Sequence, residues 1–103
     1  MTKEKFTEFD PAELLTDEKV IAEYLNMELA NGDPKYIKIA LNNIARARNM
    51  SELARRAGMP RASIYRALNP DSNAEYDTIQ KIVNALGMRF VVQPVSTTRP
   101  VAI

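Results

Sequence analysis

The stretch that decides the fold is Ser51-Glu52-Leu53-Ala54-Arg55-Arg56-Ala57-Gly58-Met59-Pro60-Arg61-Ala62-Ser63-Ile64-Tyr65-Arg66-Ala67-Leu68. Ser51 reads as the cap of a short helix over 52–57, and Gly58 ends it, because glycine takes a positive φ at little cost. Met59-Pro60 begins a second helix that runs to Leu68. Two short helices joined by so tight a turn must cross steeply. Ala54 stands where they cross, and a larger side chain there would push them apart. Leu53, Ala57, Met59, Ile64, Ala67 and Leu68 supply the apolar seam. Arg61, Ala62, Ser63, Tyr65 and Arg66 are left facing outward.

Toward the N-terminus, Asp33-Pro34 starts a helix, with Asp as N-cap and Pro in its first turn. Its stripe is Ile37, Ala40, Leu41, Ile44 and Ala45, with Arg46 and Arg48 in the last turn and Asn49 as the stop. Before it, Thr16 is placed to cap a helix over 17–31 with an acidic first turn and a broad apolar face of Val20, Ile21, Tyr24, Leu25, Met27 and Leu29. Residues 1–15 have no sustained period and read as a lead-in that lays Phe6 and Phe9 on the core. Toward the C-terminus, Asn69 to Asn73 is a loop. A helix from Glu75 carries Tyr76, Ile79, Ile82, Val83 and Leu86, and Gly87 ends it. Residues 88–93 alternate and are β-branched and aromatic, so they read as a strand. Residues 94–103 form a loose tail. The expected architecture is all-α: one domain over 16–93 with about five helices, the helix-turn-helix at 51–68, and one C-terminal strand.

The chain has 103 residues, enough for one modest core. It contains neither cysteine nor histidine. Disulfides, thiolate metal sites and Ser-His-Asp or Cys-His catalysis are thereby excluded. Asp17 and Glu18 are adjacent in a first helical turn and do not converge on a cleft, and the three glycines lie far apart. No enzyme, cofactor or metal site is expected. No apolar run approaches the ~18–20 residues of a membrane span, and Met1 to Asp10 has no apolar core of a secretory signal. A cytoplasmic protein is expected.

The net charge of +1 conceals an uneven distribution. Residues 1–33 carry three lysines against nine acids, a net of −6. Residues 34–68 carry eight cations against Glu52 alone, a net of +7, and six of the eight are arginines, which suits phosphate or base recognition. Residues 69–103 balance. An acidic arm before a basic middle implies two partners of opposite charge, or a polyanion site with a counterweight.

The segment 51–68 resembles the helix-turn-helix of the lambda-repressor-like, Xre-type family, with a small residue four positions before the turn glycine and aliphatics on either side. The resemblance extends over roughly residues 9–93. Phe9-Asp10-Pro11-Ala12-Glu13, an acidic helix, Gly32-Asp33-Pro34, Ile44-Ala45-Arg46-Ala47-Arg48, Met50-Ser51-Glu52-Leu53-Ala54-Arg55, Ile64-Tyr65-Arg66-Ala67-Leu68 and Ala85-Leu86-Gly87-Met88-Arg89 are together similar to the probable addiction-module antidote proteins, the HigA-like antitoxins. The resemblance implies a homodimer that silences a RelE/ParE-like toxin and represses its own operon by binding operator DNA. Pro60 departs from the pattern: many members carry Ser or Thr there, so one phosphate contact is expected to be lost while the helix survives.

Within that motif Arg61 sits at the end of the recognition helix that enters the major groove, five residues before Arg66. Arginine pairs bidentately with guanine O6 and N7. Ala62 can pack on a thymine methyl, and Ser63 and Tyr65 suit backbone phosphates. Arg55, Arg56, Arg46 and Arg48 could neutralise flanking phosphates, with at least one held instead in a salt bridge to Glu52. Ser51 is chiefly a helix cap and secondarily a phosphate contact. The expected DNA-binding set is therefore Ser51, Arg55, Arg61, Ala62, Ser63, Tyr65 and Arg66. The helix over 17–31 either faces the toxin or completes the core. The strand at 88–93 would satisfy its backbone by pairing across a two-fold dimer, or else pack as an irregular extension on its own domain. A stand-alone Xre-type regulator without a toxin is the alternative function; an interaction module that no longer binds DNA is a third, supported only by Pro60.

Overall fold

The computed structural model describes residues 17–95, so the expectations for residues 1–15 and for the end of the tail lie outside the described residues. The described residues form five helices: α1 (Glu18–Asn31), α2 (Pro34–Arg48), α3 (Met50–Ala57), α4 (Arg61–Ala67) and α5 (Tyr76–Ala85).

Local chemistry sets the helix ends. The cap of α1 is Asp17 and not Thr16 as the sequence suggested: the Asp17 carboxylate accepts from Lys19 N at 2.8 Å, which an aspartate at this position does as readily as a threonine one residue earlier. Gly32, left-handed at φ 81°, closes the helix with its N–H on Glu28 O. The Asp33 carboxylate accepts from Lys35 N at 3.0 Å, and Pro34 opens α2 as expected. Asn49 then performs two roles. It ends α2 and, with φ 90°, caps α3: its side-chain oxygen accepts from Ser51 N at 3.0 Å and Glu52 N at 3.2 Å. Ser51 is therefore not the cap that the sequence suggested but a residue of the first turn. Asparagine is among the few non-glycine residues that tolerate positive φ, and its short amide reaches the orphan donors of the next turn.

Gly58, left-handed at φ 67°, ends α3 with its N–H on Ala54 O and Arg55 O, and Met59 N returns to Ala54 O at 3.0 Å. Pro60 precedes α4 as its cap residue, without a side-chain hydrogen bond; its carbonyl accepts from Ser63 N and Ile64 N. After α4 the loop is tied back. The Ser72 hydroxyl donates to Ala67 O at 2.9 Å, and Lys38 Nζ of α2 donates to the Ser72 carbonyl.

One apolar cluster holds the helices together. Ile21 and Leu25 of α1, Leu41 and Ile44 of α2, Leu53 of α3, Ile64 of α4, and Ile82 and Val83 of α5 are all buried. Full burial of such a side chain contributes ~1.5–3 kcal/mol. Among the described residues no polar or charged residue is buried. α3 is central and packs on α2, α4 and α5, whereas α1 lies on α2. The Asn43 amide donates to the Tyr24 hydroxyl at 2.8 Å and joins α2 to α1. The apolar face of α1 is narrower than its composition suggests. Ile21 and Leu25 are buried and Tyr24 and Leu29 half-buried, but Val20 and Met27 are exposed.

Residues 88–93 are not a strand within the chain: among the described residues there is no strand at all. The physical reason is that a strand needs a ladder partner, and an otherwise helical chain offers none.

Candidate nucleic-acid interface

The sequence places eight cations in residues 34–68, and the structure sorts them by partner. Arg48 reaches Glu18 of α1 at 3.9 Å. Arg46 Nη2 donates to Asn43 Oδ1 at 2.7 Å. Lys35 lies 3.9 Å from Asp71, and Lys38 holds the Ser72 carbonyl. On α3, Glu52 takes both neighbouring arginines: Arg55 Nη2 and Arg56 Nε donate to the same Oε2, the latter at 3.1 Å. These bonds, first that from Arg55 and then that from Arg56, hold the Glu52 carboxyl below its usual range, and the Arg55 guanidinium is raised in return by Glu52. The expectation that at least one arginine is held by Glu52 is met, and two share the carboxylate.

Arg61 and Arg66 differ. Both are exposed on α4, and among the described residues neither forms an ion pair. Each is steadied by a neutral hydroxyl instead. Arg61 Nη1 donates to Ser51 Oγ at 3.3 Å, and Arg66 Nη2 donates to Ser63 Oγ at 3.2 Å. Their charges are therefore not offset by any acid among the described residues. Ala62 and Tyr65 are exposed beside them, while Ser63 is half-buried beneath Arg66. Ile64, Ala67 and Leu68 turn inward and seat the helix on α3 and α5.

Of the seven residues expected at a DNA surface, Ser51, Arg61, Ala62, Tyr65 and Arg66 share this exposed region. Ser63 lies partly below it, and Arg55 is engaged by Glu52. The arrangement offers two forked cations and a phenol on a short rigid helix, suited to bidentate acceptors such as base edges or phosphates. Sequence reasoning missed the Asn49 cap and with it the freeing of the Ser51 hydroxyl for Arg61. The signal was present: Asn49 precedes Glu52 by three residues, the spacing of a cap and the third helical position.

The family model described as "Probable addiction module antidote protein" matches residues 5–94. The chain belongs to this family. An uncharacterized protein of Haemophilus influenzae is 44% identical over 90 residues, which cover 87% of this chain and 93% of that relative. No solved structure matches the chain. The resemblance read from the sequence is thus correct at the level of the antidote family, and an antidote implies a toxin partner. The matched span includes all five helices and the extended residues after α5. Among the described residues no helix is long and apolar enough to cross a membrane.

Proposed function

We propose that this antidote protein is the antitoxin of a type II toxin–antitoxin module, which neutralises a RelE/ParE-like toxin and represses its own operon. It acts in the cytoplasm by binding rather than by catalysis. α3 and α4 serve as an Xre-type, HigA-like helix-turn-helix, with α4 in the major groove of operator DNA. Arg61 and Arg66 meet base edges. Tyr65 and the Ser51 and Ser63 hydroxyls meet phosphates or orient the arginines that do, Ala62 offers a methyl contact, and Arg55 flanks the groove. A homodimer would present two such helices to a palindromic operator.

The observation that carries the DNA reading is the exposed pair Arg61 and Arg66, whose charges no acid neutralises among the described residues, whereas acids engage Lys35, Arg48, Arg55 and Arg56 of the same segment. Family membership carries the antidote reading. The toxin-facing surface is assigned to α1, which exposes Val20 and Met27 beside Glu23.

The deciding experiment is growth of cells that express the neighbouring small open reading frame, with and without this chain. Toxicity rescued by the chain supports the antitoxin. Toxicity without rescue, or none, favours the stand-alone Xre-type regulator, whose support is the same arginine pair.

A further inference from the structure

The segment that follows α5 is anchored at its start and unpaired beyond. Met88 N donates to Val83 O at 3.1 Å, and Met88 and Phe90 pack against the core. The Phe90 ring lies 6.0 Å from that of Tyr76, tilted by 31°. From Arg89 to Val95 no backbone group makes a hydrogen bond among the described residues. Side chains alternate along it: Met88 and Phe90 are half-buried, Arg89 and Val91 exposed. Val92 is next in the inward row, yet it is 96% exposed. The apolar row therefore runs past the edge of its own core.

We propose that residues 89–93 pair antiparallel with the same residues of a second copy, with the two-fold axis through Val91. This rests on the dimeric reading above and gives it a surface and a register. In that register Phe90 of each subunit lies opposite Val92 of the partner subunit, within the ~4.5–5.5 Å between Cβ atoms typical of cross-strand pairs. The overhanging Val92 thus gains the ring that it lacks at home, and the row Met88, Phe90, Val92 continues across the axis. Arg89 meets Gln93 of the partner subunit, so no like charges face each other. Arg89 is also the sole charge in 88–95, which makes the segment poorly suited to a basic partner. An isologous pair closes at two subunits.

The chain has no cysteine, so Val91→Cys introduces one thiol. Residues opposed in an antiparallel pair have Cα atoms ~4.5 or ~5.5 Å apart, and both values lie within disulfide reach. Mild oxidation is expected to link Val91→Cys into dimers and to leave Val95→Cys unlinked. Val92→Asp is expected to keep the helical circular dichroism and to shift sedimentation from dimer to monomer. A monomeric wild type, a dimer that survives Val92→Asp, or linkage at Val95 and not at Val91 overturns the proposal. Rescue from toxin by a monomeric wild type would defeat this interface and leave the antidote reading standing. A disulfide-linked dimer that fails to rescue would do the opposite.

Discussion

Arg61 of α4 donates to the Ser51 hydroxyl of α3 at 3.3 Å, so the first turns of the two helices are joined by side chains as well as by the turn at Gly58. The bond fixes where the Arg61 guanidinium begins its reach. Ser51→Ala is expected to leave stability within about 0.5 kcal/mol, as exposed substitutions usually do, because Asn49 supplies the cap. Operator affinity is expected to fall, and to fall less than in Arg61→Ala. Paired thermal melts and operator titrations check this; a stability loss on the scale of a cap would return Ser51 to the capping role.

Arg61→Ala and Arg66→Ala are each expected to cost ~1–3 kcal/mol in operator binding and to relax discrimination at one base position. Titration against single-base operator variants reads both effects. Unchanged affinity and salt slope in both variants would refute the base-contact assignment.

Glu52→Gln releases two guanidinium groups. Each arginine that then finds a phosphate steepens the dependence of log affinity on log salt by about 0.9, so the variant is expected to bind DNA more tightly and with a steeper slope. The same substitution has a pH signature. The Glu52 carboxyl titrates below its ordinary value of 4.5. A carboxyl lowered in the folded state contributes stability that is present above that ordinary value and lost as pH falls through the lowered one. Glu52→Gln should therefore flatten the acid limb of stability, by a small amount because the group is exposed. Denaturant melts across acid pH measure it.

Asn49→Ala removes the cap of α3 and leaves a β-carbon residue at φ 90°. Loss of the cap costs ~0.5–2 kcal/mol, and a sparsely populated backbone conformation ~1–3 kcal/mol. Asn49→Gly retains the backbone freedom and is expected to lose less than Asn49→Ala. Chemical denaturation of the two variants separates cap from backbone.

Ala54→Leu introduces three carbons at a buried position in the seam of α3 and α4. Overpacking of this kind costs ~1–3 kcal/mol. A melting temperature equal to that of the wild type would mean that the two helices do not cross at Ala54.

Much of this architecture was legible in the residues. Asp33-Pro34, Gly58 and the stripe Ala40, Leu41, Ile44, Ala45 fix α2 and α3 through backbone chemistry and helical period, and the structure agrees. The cap of α3 was misplaced by two residues because Ser51 and Asn49 are both good caps, and the choice depends on a positive φ that composition does not reveal. Residues 88–93 carry a genuine β pattern, but pattern alone cannot provide the second strand a ladder needs. The outward row of α4 followed from period, apart from Ser63, which sinks partly under Arg66. The sorting of cations followed only in part, because Arg48–Glu18 is a pairing between helices and no local rule reaches that far.

A single residue, Asn49, separates α2 from α3, and that spacing sets an angle as well as a distance. One residue added to a helix turns everything beyond it by about 100°. Lengthening α2 by one residue would swing the arginines of α4 around the axis of α2, off the face that the proposed dimer would present. The residue count at this junction therefore works like the tooth of a gear, and in a two-fold assembly both copies would be set out of step with their half-sites by the same insertion.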